Sequence, residues 1–140
     1  MEKTQDVQEK AQQKMMQFQF LQSQLETVRA QLQQIVQHAE ELSNTKLTIE
    51  NLTITKPSEA FVPLGAGNFV KGKIEDSNTI LVSVGGGAAV KKTKEDAITI
   101  IEGRLSKLQD EVNELVGAEQ KILLELGKLQ PEIQAMVGMR

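Results

Sequence analysis

The chain has 140 residues, of which 39% are hydrophobic and only 3% aromatic, with a net charge of −3 and no cysteine. The hydrophobic content argues against a disordered chain, but so few aromatic residues make a conventional globular core unexpected, so we expect burial along helix seams. The lack of cysteine excludes disulfides, thiol catalysis and thiolate metal sites.

The charges are distributed unevenly along the chain. Residues 1–45 carry 4 basic and 6 acidic groups, residues 46–94 carry 7 and 4, and residues 95–140 carry 5 and 9. Acidic flanks repel a phosphate backbone, so nucleic acid is not expected as a partner. Because the sequence has neither a signal-like start nor a long apolar run, we expect no membrane partner and a cytoplasmic protein.

The first segment has apolar residues at alternating spacings of four and three. The positions are Val7, Ala11, Lys14, Phe18, Leu21, Leu25, Val28, Leu32, Ile35, Ala39 and Leu42. Only the lysine interrupts the pattern, and neither glycine nor proline occurs before Pro57. A sustained period of 3.5 residues predicts a coiled-coil helix of about 45 residues.

The central segment predicts four short strands, over 61–64, 69–74, 79–84 and 88–91, which form two hairpins joined by an Asp-Ser-Asn turn. Hairpins this small need a partner for stability, so we expect the insert to drive oligomerisation. The alternative is a sheet folded onto the base of the coiled coil within one chain. The predicted assembly residues are Phe61, Val62, Leu64, Phe69, Val70, Ile74, Ile80, Val82, Val84 and Val90.

The last segment repeats the coiled-coil pattern. Its positions are Ile98, Ile101, Leu105, Leu108, Val112, Leu115, Glu119, Ile122, Leu126, Leu129, Ile133 and Met136. Thr93 can cap this helix, and Glu95 and Asp96 suit the positive end of its dipole. Near its end Pro131, with two glycines, predicts a break or kink.

Two helices of matched length around a compact insert most simply fold back as an antiparallel pair, with both termini at a distal tip. The predicted fold is mainly α with a small β insert, a single unit made of a helix over 1–53, two hairpins over 54–92 and a helix over 93–140. Lys14 and Glu119 could pair across the seam or stay solvated.

Nothing in the sequence assembles an active site. The glycines at 85–87 lack a P-loop ending and precede a strand, so they predict a turn with positive φ angles. His38 has no neighbouring nucleophile, and Glu40 and Glu41 point about 100° apart on a helix. We therefore expect no catalysis, cofactor or metal.

The tip has an unusual set of apolar residues. All five methionines lie in the first sixteen or last five residues, and further large apolar side chains near the termini fall outside the seam. Such residues could form an adaptable binding surface, or they could pack against a neighbouring coiled coil or fray. The candidate binding residues are Met15, Met16, Phe18, Phe20, Leu123, Leu124, Leu126, Ile133, Met136, Val137 and Met139.

Two stretches of the insert carry a specific motif. Residues 62–70 read VPLGAGNFV, residues 82–93 read VSVGGGAAVKKT, and Glu95-Asp96-Ala97 opens the second helix. These stretches resemble the prefoldin family of archaeal and eukaryotic chaperones, specifically its alpha-type subunits with two hairpins. Asn68 and Ala88 depart modestly from the family pattern and favour an archaeal origin.

The resemblance implies an ATP-independent holdase or co-chaperone. In that family two alpha-type and four beta-type subunits form a hexamer, whose hairpins join into a β-barrel and whose coiled-coil tips bind unfolded proteins and deliver them to a group II chaperonin. The alternative function is a structural coiled-coil scaffold that binds one specific partner.

Overall fold

The computed structural model describes residues 2–138 and consists of two long helices with two β-hairpins between them, as predicted. The elements are α1 (Glu2–Asn51), β1 (Ser58–Gly65), β2 (Asn68–Ile74), β3 (Thr79–Gly85), β4 (Ala88–Thr93) and α2 (Lys94–Gly138). They form two compact units, one made of residues 2–38 and 108–138 and the other of Ala39–Lys107.

The two helices begin and end where local chemistry favours it. No glycine or proline interrupts α1, which ends at Asn51 just before the residues Leu-Thr-Ile-Thr. At the start of α2 the Thr93 hydroxyl accepts a hydrogen bond from the Asp96 N–H at 3.1 Å, which confirms the predicted cap. The helix continues through Pro131 to Gly138, so proline does not break it, and the predicted kink stays a prediction.

In both helices the predicted seam is the buried face. Every seam position from Ala11 to Leu42 and from Ile98 to Met136 is buried or half-buried, whereas most positions between them are exposed. The first predicted seam position, Val7, is 37% exposed, so the prediction that it is buried is wrong. In the first unit Leu21 and Leu129 are the most enclosed. The 3.5-residue period therefore marks the residues that are removed from water.

Two ion pairs in the first unit connect its helices and show that they run antiparallel. The Lys14 ammonium donates to the Glu132 carboxylate at 2.6 Å, and Arg29 Nε lies 3.3 Å from a Glu119 oxygen. The later residue of α1, Arg29, pairs with the earlier residue of α2, Glu119, as expected for two helices that run in opposite directions. The two polar seam residues, Lys14 and Glu119, therefore do not pair with each other, because each meets a charge from the flank of the opposite helix.

In the second unit the segments that connect the helices and hairpins are joined by hydrogen bonds. Ser77 is buried, and its hydroxyl accepts from the Ile54 N–H at 3.0 Å while its own N–H donates to the Ile54 carbonyl at 3.2 Å. The Lys94 ammonium donates to the Leu52 carbonyl at 2.7 Å, and the Lys94 N–H donates to the Asn78 carbonyl at 3.1 Å. These bonds hold the start of α2 against the segment that follows α1.

A cross-helix ion pair also occurs in the second unit. Lys46 Nζ lies 3.1 Å from Glu102 and 3.8 Å from Glu50. The hydrogen bond that Lys46 donates to Glu102, followed by the charge of that carboxylate, raises the pKa of Lys46 above its usual value. The lysine therefore stays charged throughout the neutral range.

Each hairpin is an antiparallel pair with a tight glycine-containing turn. Val62 lies opposite Val70 in the first hairpin, and Val82 opposite Val90 in the second. In the second turn Gly86 and Gly87 have φ angles of 61° and 75°, which L-residues with a side chain rarely adopt. The glycines thus form the predicted turn.

Candidate functional site

The predicted tip residues outside the seam lie at the surface of the first unit. We call the paired helix ends, residues 2–22 of α1 and 119–138 of α2, the tip. Its exposed large apolar residues outside the seam are Met15, Met16, Phe20, Leu123, Leu124 and Val137. Met16, at 70% exposure, is among the most open, so solvent or another protein must be its neighbour.

The other predicted tip residues have different surroundings. Phe18, Leu126, Ile133 and Met136 are half-buried in the seam, so they support the helix pair and expose only part of their surface. Met139 lies outside the described residues. The antiparallel pairing thus brings α1 and α2 residues together, but it divides the predicted set into seam and surface members.

Shallow clefts connect the seam and surface residues at the tip. A cleft of about 450 Å³ is lined by Met15, Met136 and Val137 together with residues of the first three turns of α1. A second cleft of about 350 Å³ is lined by Met15, Phe18 and Ile133, with a rim of four glutamines, Gln19, Gln22, Gln130 and Gln134. Both clefts combine apolar side chains with uncharged polar groups.

The tip differs from the middle of the helices in both apolar surface and charge. Residues 23–45 and 98–118 expose two large apolar side chains, Val36 and Val116. The same middle ranges carry seven acidic and three basic residues, whereas 1–22 and 119–140 carry six of each. The tip ranges are therefore more apolar at the surface and have no net charge, whereas the middle ranges have a net charge of −4.

The first hairpin, β1 with β2, exposes apolar residues on both faces. Phe61 and Phe69 are 72% and 59% exposed and lie on one face, since Phe69 is opposite Pro63 in the register. Val62 and Val70 form a pair on the other face and are also exposed. A two-stranded sheet with two open edges and two apolar faces is suited to association with other strands.

The second hairpin is partly covered by the chain itself. Val82 is only 8% exposed, Ile80 is half-buried, and Arg104 Nη2 of α2 donates to the Ser83 carbonyl at 2.7 Å. The sheet folded onto the helices, which was the alternative at the sequence level, therefore describes part of this hairpin. Other predicted assembly residues stay exposed, namely Leu64, Ile74, Val84 and Val90.

Besides Val7, two exposed apolar residues were not predicted from the sequence. Leu81 lies on the strand face opposite Val82 and is exposed, and Leu47 is exposed on α1 outside the seam. The signal for Leu81 was the uninterrupted Ile-Leu-Val run, since a strand that is apolar on both faces has no polar side to expose. Leu47 carries no periodic signal of its own.

The described part of the chain contains neither a metal-binding cluster nor a membrane-spanning helix. Among residues 2–138 no group of three or more acidic, histidine or cysteine side chains is arranged to hold a metal ion. Within the same residues neither helix is apolar enough over a sufficient length to cross a bilayer. What remains is apolar surface, at the tip and on the insert.

Comparison with known proteins gives one consistent family. The family model described as "Prefoldin subunit" matches residues 21–138. The prefoldin subunit alpha of Methanobrevibacter smithii is 30% identical over 118 residues, covering 84% of this chain and 76% of the relative. The prefoldin subunit alpha of Pyrococcus horikoshii is 32% identical over 119 residues, covering 84% and 80%.

Solved structures agree with the fold. The prefoldin beta subunit from Thermococcus strain KS-1 superposes with a TM-score of 0.62 at 21% identity, covering 90% of each chain. A filamentous PFD from Methanocaldococcus jannaschii gives a TM-score of 0.56 at 21% identity, covering 87% of this chain and 96% of the other. Both are therefore similar to this chain in fold.

Proposed function

The chain belongs to the prefoldin family, a family of chaperones, and we propose that it captures unfolded proteins at its tip and passes them to a group II chaperonin without using ATP. The observation that carries this proposal is the concentration of exposed apolar residues at the tip, among them Met16, Phe20 and Leu124. Unfolded chains expose apolar side chains that are buried in native proteins, so such a surface selects for the unfolded state.

The tip presents mainly side chains to a client. Apart from the helix ends, the backbone groups of α1 and α2 are paired within the helices, so the tip offers no strand edge to an incoming chain. Unbranched methionines such as Met15 and Met16 adapt to ligands of different shape. This combination favours many unrelated clients over one partner of fixed sequence.

Electrostatics also favour a broad client range. The tip segments, 1–22 and 119–140, have equal numbers of acidic and basic residues, so they neither attract nor repel a client by net charge. Binding by apolar burial contributes roughly 1.5–3 kcal/mol for each large side chain that is fully covered. Several tips in one complex would add their weak contacts through multivalency.

Assembly of several subunits would bring several tips together in one complex. We propose that the hairpins join those of beta-type subunits in a hexamer of two alpha and four beta chains, in the cytoplasm. Phe61, Phe69, Val62 and Val70 support this role because they leave both faces of the first hairpin apolar and exposed. In that arrangement the exposed strand edges pair with strands of the partner.

The proposal is tested by removing apolar surface from the tip without disturbing the seam. Phe20→Gln with Leu124→Gln takes one exposed residue from each helix, and glutamine retains a good helix propensity. With the beta-type partner present, we expect the chaperone concentration for half-suppression of client aggregation to rise about fivefold or more. Several unrelated denatured clients are compared by light scattering.

The matched control is Val36→Gln with Val116→Gln, which also takes one exposed apolar residue from each helix, but from the middle. We expect this control to suppress aggregation as the unaltered chain does, and both variants to keep the same native mass with the partner. Equal suppression by the tip variant and the unaltered chain would refute client binding at the tip. Binding to a single folded protein, with no affinity for denatured clients, would instead indicate a scaffold.

A further inference from the structure

The oxidisable side chains of this protein are confined to one part of it. The sequence has no cysteine, tryptophan or tyrosine, so the methionine thioethers are its most readily oxidised groups. All five methionines lie in the first sixteen or last five residues, and none occurs in the hairpins or in the middle of the helices. An oxidant that reacts with thioethers therefore acts at the ends of the chain and leaves the insert chemically unchanged.

The three methionines in the described part of the chain differ in their exposure to solvent. Met16 is 70% exposed, Met15 is 47% exposed, and Met136 is half-buried in the seam. Met15 and Met136 line the same cleft with Val137. Because a thioether must be reached by the oxidant, we expect Met16 to react first, Met15 next and Met136 last.

From this arrangement we infer that Met15, Met16 and Met136 form an oxidation-sensitive site, through which a peroxide-class oxidant weakens the hold of the tip on unfolded protein. The inference rests on the proposed function. In the reaction the thioether sulfur loses two electrons and gains one oxygen atom as the peroxide O–O bond breaks, and the second oxygen leaves as water or an alcohol. The sulfoxide that forms is polar and chiral where the thioether was apolar and flexible.

Oxidation of the tip methionines is expected to weaken client binding because it makes the apolar surface of the tip more polar. Sulfoxides at Met15 and Met16 replace apolar contact area at the tip with polar groups that retain water, so client binding weakens while the seam leucines keep the helices paired. Assembly through Phe61 and Phe69 involves no thioether and continues. Oxidation would thus lower the affinity for clients while the complex stays intact, and reduction of the sulfoxides would restore that affinity.

The experiment treats the complex with dilute hydrogen peroxide and follows oxidation by peptide mass, at about 16 Da per methionine. A variant with Met15, Met16, Met136 and Met139 replaced by leucine is treated beside it, with the same partner preparation, so that oxidation of the partner is common to both. Each sample is compared with its own untreated portion. Native mass spectrometry reports assembly and light scattering reports suppression.

We expect oxidation to raise the half-suppression concentration of the unaltered complex about threefold or more, and that of the leucine variant less. Treatment with both methionine sulfoxide reductases should reverse the rise. Complete oxidation of Met15 and Met16 with unchanged suppression would overturn the inference and leave the proposed function standing. If the untreated complex fails to suppress aggregation, the proposed function fails, and the inference fails with it.

Discussion

The tip and the first hairpin both expose large apolar side chains, but they differ in what their backbones offer. Except at their ends, helices α1 and α2 satisfy their own backbone hydrogen bonds, so the tip presents mainly side chains for binding. Strands β1 and β2 pair with each other and leave two open edges, where a further strand must bind in register. The same apolar chemistry therefore suits adaptable binding at the tip and specific assembly at the hairpin.

Breaking the assembly surface should give the largest effect. Phe61→Glu with Phe69→Glu introduces two charges on one exposed hairpin face, where burial by a partner would make them costly. Losing two buried aromatic side chains alone corresponds to roughly 3 kcal/mol or more, or at least about a hundredfold weaker association. Native mass spectrometry of the mixture with a beta-type partner measures the assembled fraction.

The control for this variant carries the same charges elsewhere. Val36→Glu with Leu47→Glu alters two exposed apolar residues of α1 and should leave assembly intact. Circular dichroism should report the same helix content for both variants, because neither change touches the seam. If the Phe61 and Phe69 variant assembles as well as this control, the first hairpin is not the assembly surface.

Within the tip, substitutions of two adjacent residues distinguish an effect on stability from an effect on client binding. Leu21 is only 6% exposed in the seam, whereas Phe20 beside it is exposed. We expect Leu21→Ala to lower the free energy of unfolding by about 2–4 kcal/mol, since it leaves a cavity in the seam, and Phe20→Ala to change it by about 0.5 kcal/mol or less. Urea denaturation followed by circular dichroism measures both, and equal losses would mean that Phe20 is also a packing residue.

The sequence predicted the seam and the hairpins because each has a local signal. The 3.5-residue period selects the buried side of each helix wherever it pairs, and glycines such as Gly86 and Gly87 encode turns with positive φ. Heptads do not fix the register of two helices, because a shift by a whole heptad retains the apolar match. For that reason the partners of Lys14 and Glu119 became clear only in the structure, as Glu132 and Arg29.

Other misses reflect interactions that depend on tertiary context. Pro131 does not break α2, since the flanking turns continue the helix on both sides of it. The partial cover of the second hairpin depends on Arg104, which reaches the Ser83 carbonyl from 21 residues away and has no periodic signature. The exposed tip was predictable as a set, but its division into surface and seam members required the helix pairing.

The smallest expected effect is that of replacing glycines of α2 by alanine. These substitutions test whether client binding at the tip needs a flexible helix. A Cβ at Gly103 or Gly127 would meet no atom within 4 Å, so alanine fits at both positions. Alanine should raise the free energy of unfolding by about 1 kcal/mol in each variant, since glycine is the poorer helix former. The pair is matched, because Gly127 belongs to the tip and Gly103 to the second unit.

If the tip binds through its exposed side chains, as the proposal holds, both glycine variants should suppress client aggregation within about twofold of the unaltered chain, a change below 0.5 kcal/mol. A loss of suppression in Gly127→Ala alone, with unfolding free energies that rise equally in both variants, would mean that α2 must bend at the tip to bind a client. Adaptability would then come from the helix backbone at Gly127 and not from the unbranched methionine side chains.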